Sequence, residues 1–161
     1  MRALSEKLLN WYNSNKRDLP WRHTSDPYAI LVSEIMLQQT RVDTVISYYH
    51  QFLERFPTAA SLALAQEDEV LNLWKGLGYY SRARNLHKAA KLILHEHQGK
   101  FPSNFEQVRK LPGVGDYTAG AVMSIAFNLP FPAVDGNVSR VITRINGIDS
   151  DIALPETKSL I

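Results

Sequence analysis

Cysteine is absent from the 161 residues, which excludes a disulfide framework and a thiolate metal site built from them and fits an intracellular protein. No apolar run reaches the roughly 18 residues of a membrane span, and residues 1–10 lack the apolar centre of a secretory signal. Charge of one sign is scarce. With 18 basic and 16 acidic residues the formal net charge is +2, too little to indicate nucleic-acid binding, although the isoelectric point near 8.9 does not oppose it. Any contact with a polyanion must come from local geometry. These absences lead to the expectation of a soluble, cytoplasmic protein without a membrane partner. At 45% hydrophobic and 21% charged residues, the chain has material for one well-buried domain and a small second lobe.

Alternation of period two is also nearly missing, whereas helical periodicity is present almost throughout, which predicts an all-α fold. A first helix is expected over about Ala3 to Asn15, with Leu4, Leu8, Trp11 and Tyr12 on one face, broken at 18–22. Asp26 and Pro27 form a cap and first-turn pair for a second helix ending at Thr40 or Arg41. A third runs to about Arg55, and a pair of short helices ends at Trp74 before the break at 75–78. A longer helix spans Ser81 to His97. Ser103 and Glu106 have capping-box spacing for the helix after it, and Pro130 and Pro132 force extended chain before a last helix over about Gly136 to Asn146. Beyond Gly147 the chain carries little pattern.

The most informative stretch is Leu111-Pro-Gly-Val-Gly-Asp-Tyr-Thr-Ala-Gly-Ala121, a glycine hairpin running into an apolar helix. Gly113 and Gly115 can adopt positive φ and bring bare backbone close to a partner. The amides from Asp116 to Thr118 open a helix, and unpaired N–H groups there form a phosphate site. Phe105, Val108 and Leu111 have helical spacing, so the segment reads as helix, hairpin, helix over about 104–127. Taken alone, a Gly-x-Gly reads more readily as a plain loop between core helices.

Two carboxylates stand out. Glu34 lies among apolar neighbours on the second helix, where desolvation raises a carboxyl pKa and holds a proton ready for donation; a side chain reaching solvent or a buried arginine is the alternative. Asp135 sits just ahead of the last helix, as an N-cap would, and amide bonds to a cap keep it ionised. A protonated acid and an ionised carboxylate are the pair that cleavage of a glycosidic bond requires.

The hairpin, Asp135 and the helical pattern together resemble the helix-hairpin-helix DNA glycosylase superfamily over essentially the whole chain. Leu31-Val-Ser-Glu-Ile-Met-Leu-Gln-Gln-Thr40, Gly76-Leu-Gly-Tyr-Tyr80 and Val134-Asp-Gly-Asn-Val138 are similar to the MutY type, adenine DNA glycosylases acting on adenine mispaired with 8-oxoguanine. The resemblance implies the six-helix barrel subdomain with the N-terminal helix of the second lobe. It implies that Glu34 protonates adenine at N7, that Asp135 stabilises the sugar cation or bonds to it, and that Asn137 supports the site. Tyr117 falls where related bifunctional glycosylase-lyases carry a Schiff-base lysine, which implies a monofunctional, hydrolytic enzyme. Gln39 and Tyr79 match positions that enter the duplex at the mismatch, with Thr40 beside them. Trp21 and Arg22 resemble residues lining the adenine pocket, although a core role fits Trp21, Tyr79 and Tyr117 as well.

Arg82, Arg84 and Lys88 are candidates for phosphate contacts or for a solvated helix face. His95 and His97 point to different faces and make no metal pair. The implied partner is double-stranded DNA with an A:8-oxoguanine or A:G mismatch, bound by a monomer at the bacterial nucleoid. Family members usually continue with further helices that pack on the first helix, four cysteines holding an iron-sulfur cluster, and a domain that reads 8-oxoguanine. None of these lies within 1–161, so the chain is expected to be the N-terminal part of a catalytic domain, without a cofactor of its own. Two other readings stay open: a bifunctional pyrimidine-lesion glycosylase and lyase, and a noncatalytic helix-hairpin-helix DNA-binding module.

Overall fold

In the computed structural model, which describes residues 2–160, the described residues form helices and no strand, so the all-α expectation holds. The elements are α1 (Arg2–Asn15), a 3₁₀ turn at Pro20–Arg22, α2 (Pro27–Leu37), α3 (Val42–Arg55), α4 (Ala59–Leu64), α5 (Glu67–Leu73), α6 (Ser81–Glu96), α7 (Phe105–Arg109), α8 (Asp116–Phe127), α9 (Gly136–Ile145) and α10 (Pro155–Lys158).

Because α2 is apolar on nearly every side, it takes the centre, burying Tyr28 through Ser33 together with Ile35 and Met36 against α3, α6 and α8. Helices α4 and α5 pack on α6, and α7 packs on α8. Phe52 lies edge-on to both Phe56 and Trp74, filling the space between α3 and the end of α5. Asp26 caps α2 as expected, accepting the Tyr28 amide at 3.0 Å.

Three local expectations are corrected. Helix α2 stops at Leu37 rather than Thr40, because Gln38 turns to extended ψ and Gln39 enters the left-handed region at φ 56°. The cap of α7 is Asn104, whose Oδ1 accepts the amides of Glu106 and Gln107; Ser103 and Glu106 form no capping box. The short helix α10 lies in the stretch where no pattern was legible.

The apolar face of α1 finds no core: Leu8, Leu9 and Trp11 are each close to 60% exposed. Val141 and Ile145 of α9 are likewise open to solvent.

Candidate functional site

The hairpin between α7 and α8 is pinned from below by Leu111 and Val114, both buried, with the Val114 amide donating to the Leu111 carbonyl at 3.0 Å. Its two glycines differ in role. Gly113 has φ +80°, and a Cβ there would lie 2.9 Å from the Asn85 Cβ on α6, so both conformation and packing demand glycine. Gly115 is extended, at φ −97°, and serves as the N-cap of α8 without a capping side chain. The first amides of α8 therefore have no capping side chain to accept from them. Thr118 is buried, and Asp116 pairs with the Arg109 guanidinium.

Glu34 lines a pocket of about 380 Å³ together with Tyr12, Trp21, Arg22, Ile30 and Leu37. Desolvation raises its carboxyl pKa, an effect that the hydrogen bond from Tyr117 partly opposes. Trp21 is both buried in the core, edge-on to Tyr49 at 5.5 Å, and part of this pocket wall, so its two readings coexist. Arg22 is exposed at the rim, donating to the Arg17 carbonyl at 2.8 Å and lying over the Tyr12 ring.

Asp135 faces a different space, a cavity of about 640 Å³ lined by Asp116, Pro132, Val134, Ser139 and Ile152 among others. It caps α9. Its Oδ1 accepts the Val138 amide at 2.8 Å and the Asn137 amide at 2.9 Å, and Oδ2 accepts the Asn137 side-chain amide at 3.2 Å. These bonds, the Val138 amide foremost, hold the carboxyl below the usual carboxylate range; Arg140, which donates to the Asn137 Oδ1, adds to the effect. Capping and ionisation are thus one arrangement.

Tyr117 interacts with both carboxylates. Partly exposed on the first turn of α8, its phenol hydrogen-bonds to Glu34 and feels the charge of Asp135; burial and both carboxylates push its pKa up, so it stays a neutral donor. Gly120, one turn further along α8, carries a role that was not anticipated. A Cβ there would lie 2.1 Å from the Pro132 carbonyl oxygen, so the extended segment before α9 crosses α8 in backbone contact and delivers Asp135 beside Tyr117. A glycine inside an apolar helix, followed by a proline pair, is the signal that could have revealed it.

Gln39 and Tyr79 stand apart from this centre, flanking a third opening of about 470 Å³ with Gln38, Ser81 and Arg82. Both occupy the left-handed region, at φ 56° and 48°, which is uncommon outside glycine. Thr40 sits beside them, partly buried, its amide bonded to the Leu37 carbonyl at 3.3 Å. Of the three cations expected to meet phosphate, Arg82 is buried, Arg84 pairs with Glu67 at 3.1 Å, and Lys88 is exposed.

Residues 32–160 match the model of the HhH-GPD superfamily of base excision DNA repair proteins. The chain belongs to this superfamily. It is 47% identical over 145 residues to an adenine DNA glycosylase of Buchnera aphidicola subsp. Baizongia pistaciae, covering 89% of this chain and 41% of that one. It is 48% identical over 158 residues to the human adenine DNA glycosylase, covering 92% of this chain and 29% of the relative. The chain thus spans well under half the length of the curated relatives it matches. Among solved structures, a thermostable thymine-DNA glycosylase superposes with a TM-score of 0.83 at 34% identity over 88% of this chain and 66% of that one. An endonuclease III–DNA complex superposes with a TM-score of 0.80 at 24% identity, covering 99% and 74% of the two chains, a likeness of fold.

In this superfamily member, no group of three or more histidine, cysteine, aspartate or glutamate side chains among the described residues is arranged to hold a metal. No helix among them is long and apolar enough to cross a membrane.

Proposed function

We propose that these residues form the N-terminal part of the catalytic domain of a monofunctional adenine DNA glycosylase, acting on adenine opposite 8-oxoguanine or guanine. In this reading a monomer meets double-stranded DNA in the bacterial cytoplasm, and the helix-hairpin-helix is at about 104–127. The observation that carries the reading is the opposed bias of two carboxylates near one phenol: Glu34 desolvated in its pocket and pushed toward its protonated form, Asp135 held ionised by the Asn137 and Val138 amides, and Tyr117 hydrogen-bonded to Glu34 and feeling the Asp135 charge. That is the asymmetry needed to protonate a leaving group on one side and to face an oxocarbenium-like sugar on the other.

In this reading Gly113, Gly115 and the free amides through Thr118 hold a backbone phosphate, while Gln39, Thr40 and Tyr79 enter the duplex at the mismatch. Extrusion of the adenosine costs a few kcal/mol, offset by those contacts and by the pocket of Trp21 and Arg22. Glu34 then gives its proton to N7 of the adenine, the C1′–N9 bond breaks with its electron pair going to the base, and Asp135 stabilises the cation left on the sugar. Water adds at C1′ and gives a proton to the Glu34 carboxylate, leaving an abasic site. Asn137 fixes the Asp135 orientation through its 3.2 Å bond. Tyr117 cannot form a Schiff base, so no strand cleavage by β-elimination follows.

An iron-sulfur cluster needs thiolate ligands, and a chain without cysteine supplies none, so no step is assigned to one. The test uses the complete open reading frame containing these residues, incubated with a duplex holding A opposite 8-oxoguanine and assayed for abasic sites. Release of adenine without a borohydride-trapped adduct is expected. Intact DNA with salt-sensitive binding would overturn the reading in favour of a binding module, and a trapped adduct in favour of a lyase.

A further inference from the structure

Arg82 sits at the start of α6, 8% exposed, and points inward. Its Nη1 donates to the carbonyls of Ile35 at 3.1 Å, Met36 at 2.8 Å and Gln38, all at the C-terminal end of α2. Its Nη2 donates to Leu77 at 3.1 Å and Gly78 at 3.2 Å, in the loop after α5. The guanidinium lies over two rings, 5.5 Å from the Trp74 centroid and 5.6 Å from that of Tyr79. Five carbonyls are therefore drawn to one cation.

Those carbonyls are not scattered. Gln38 directly precedes Gln39, and Gly78 directly precedes Tyr79, the two non-glycine residues held in the left-handed region at this opening. A planar fork with donors in fixed directions can satisfy two chain segments at once, as a flexible ammonium cannot. A cation at the end of α2 also answers the helix carbonyls left without internal partners.

We propose that Arg82 is a positioning residue: its guanidinium ties the carbonyls before Gln39 to those before Tyr79 and holds the two side chains at a fixed separation for entry into duplex DNA. This rests on the assignment of Gln39 and Tyr79 as the residues that enter the duplex. The tie itself can be tested without DNA. Nothing in it requires phosphate, since both Nη atoms of Arg82 are already engaged by carbonyls.

The test compares Arg82→Lys and Arg82→Met with the parent in the complete protein. Hydrogen exchange in the free protein comes first. Both substitutions should speed exchange at the Thr40 and Leu77 amides, bonded to Leu37 and Trp74 respectively, by about tenfold or more, the scale of a lost charge-assisted bond. Amides of α4, and of α8 beyond the hairpin, should be unchanged. Uniform protection in all three proteins would overturn the tie, and so would faster exchange spread over the whole chain, which marks a merely structural residue.

With a duplex carrying 2-aminopurine beside the mismatch, Arg82→Lys should lower the unstacking signal and kcat by about tenfold while KM changes less than about threefold. On a Tyr79→Ala, Gln39→Ala background, the same substitution should add little. Fully additive losses would overturn the proposal. Absence of base release by the unsubstituted protein, with the exchange pattern as expected, would sink the glycosylase reading and leave the tie standing.

Discussion

Replacing Glu34 by glutamine separates what burial of a carboxyl does for chemistry from what it does for stability. The amide keeps the shape and loses the acidic proton. General acid catalysis supplies about 10²–10⁴ in rate, so adenine release should fall at least about 100-fold, equivalent to about 2.7 kcal/mol of barrier. Duplex affinity should stay within about threefold, since Glu34 lines its pocket and the hairpin amides are backbone groups that the substitution leaves in place.

Stability should move the other way. The folded-state pKa of Glu34 lies above its ordinary value of 4.5 because desolvation outweighs the Tyr117 hydrogen bond. Between those two values the unfolded chain carries fewer protons than the native one, so native stability falls as pH rises through that window. Glutamine does not titrate and escapes this loss. The substituted protein should therefore match the parent near pH 4, gain on it as pH rises through the carboxyl range, and hold a constant advantage above the raised pKa.

An incompletely satisfied buried polar group costs about 1–3 kcal/mol, and partial burial puts Glu34 at the lower end, about 1 kcal/mol. For a chain of this size that is about 2–4 °C in Tm. Thermal melts from pH 4 to 8, beside single-turnover base release, make the measurement. A stability difference that does not change with pH, or that shrinks as pH rises, would refute the desolvation argument. Unchanged turnover would remove Glu34 as the acid.

Three further outcomes follow from the site. Asp135→Asn should keep the α9 cap, since asparagine caps about as well as aspartate, changing stability by less than about 0.5 kcal/mol in urea titrations while abolishing base release; retained activity would reduce Asp135 to a cap. Gly120→Ala should cost about 1–3 kcal/mol, because the added methyl meets the Pro132 carbonyl at 2.1 Å, and should lower turnover through displaced Asp135; a neutral melt would mean that this crossing is loose. Gly113→Ala should weaken duplex binding and destabilise by about 1–2 kcal/mol through its positive φ, read by fluorescence anisotropy at several salt concentrations and by denaturant titration.

The helices themselves were largely legible. Asp26 with Pro27, the apolar run after them and Asp135 before the last helix are short-range signals, because capping and periodicity act within a turn or two of backbone. Where a signal was misplaced the competitor was also local, as when Asn104 took the α7 cap in place of Ser103. The candidate pair Glu34 and Asp135 was visible for a similar reason: a carboxylate in an apolar run and a carboxylate at a helix start each carry their protonation bias in their immediate neighbours.

What the sequence determined by itself was thus the all-α class, the hairpin with Gly113 at its turn, and the residue types of the candidate site. Tertiary structure decided how they are joined. It put Glu34 and Asp135 in separate cavities with Tyr117 acting on both carboxylates, brought Pro132 across α8 at Gly120, and turned Arg82 to carbonyls as many as 47 residues distant. Helix periodicity places a side chain on a face of its own helix. Whether that face meets water, a carbonyl or another carboxylate depends on elements far away in the chain, and desolvation, the largest influence on Glu34, exists only once they have packed.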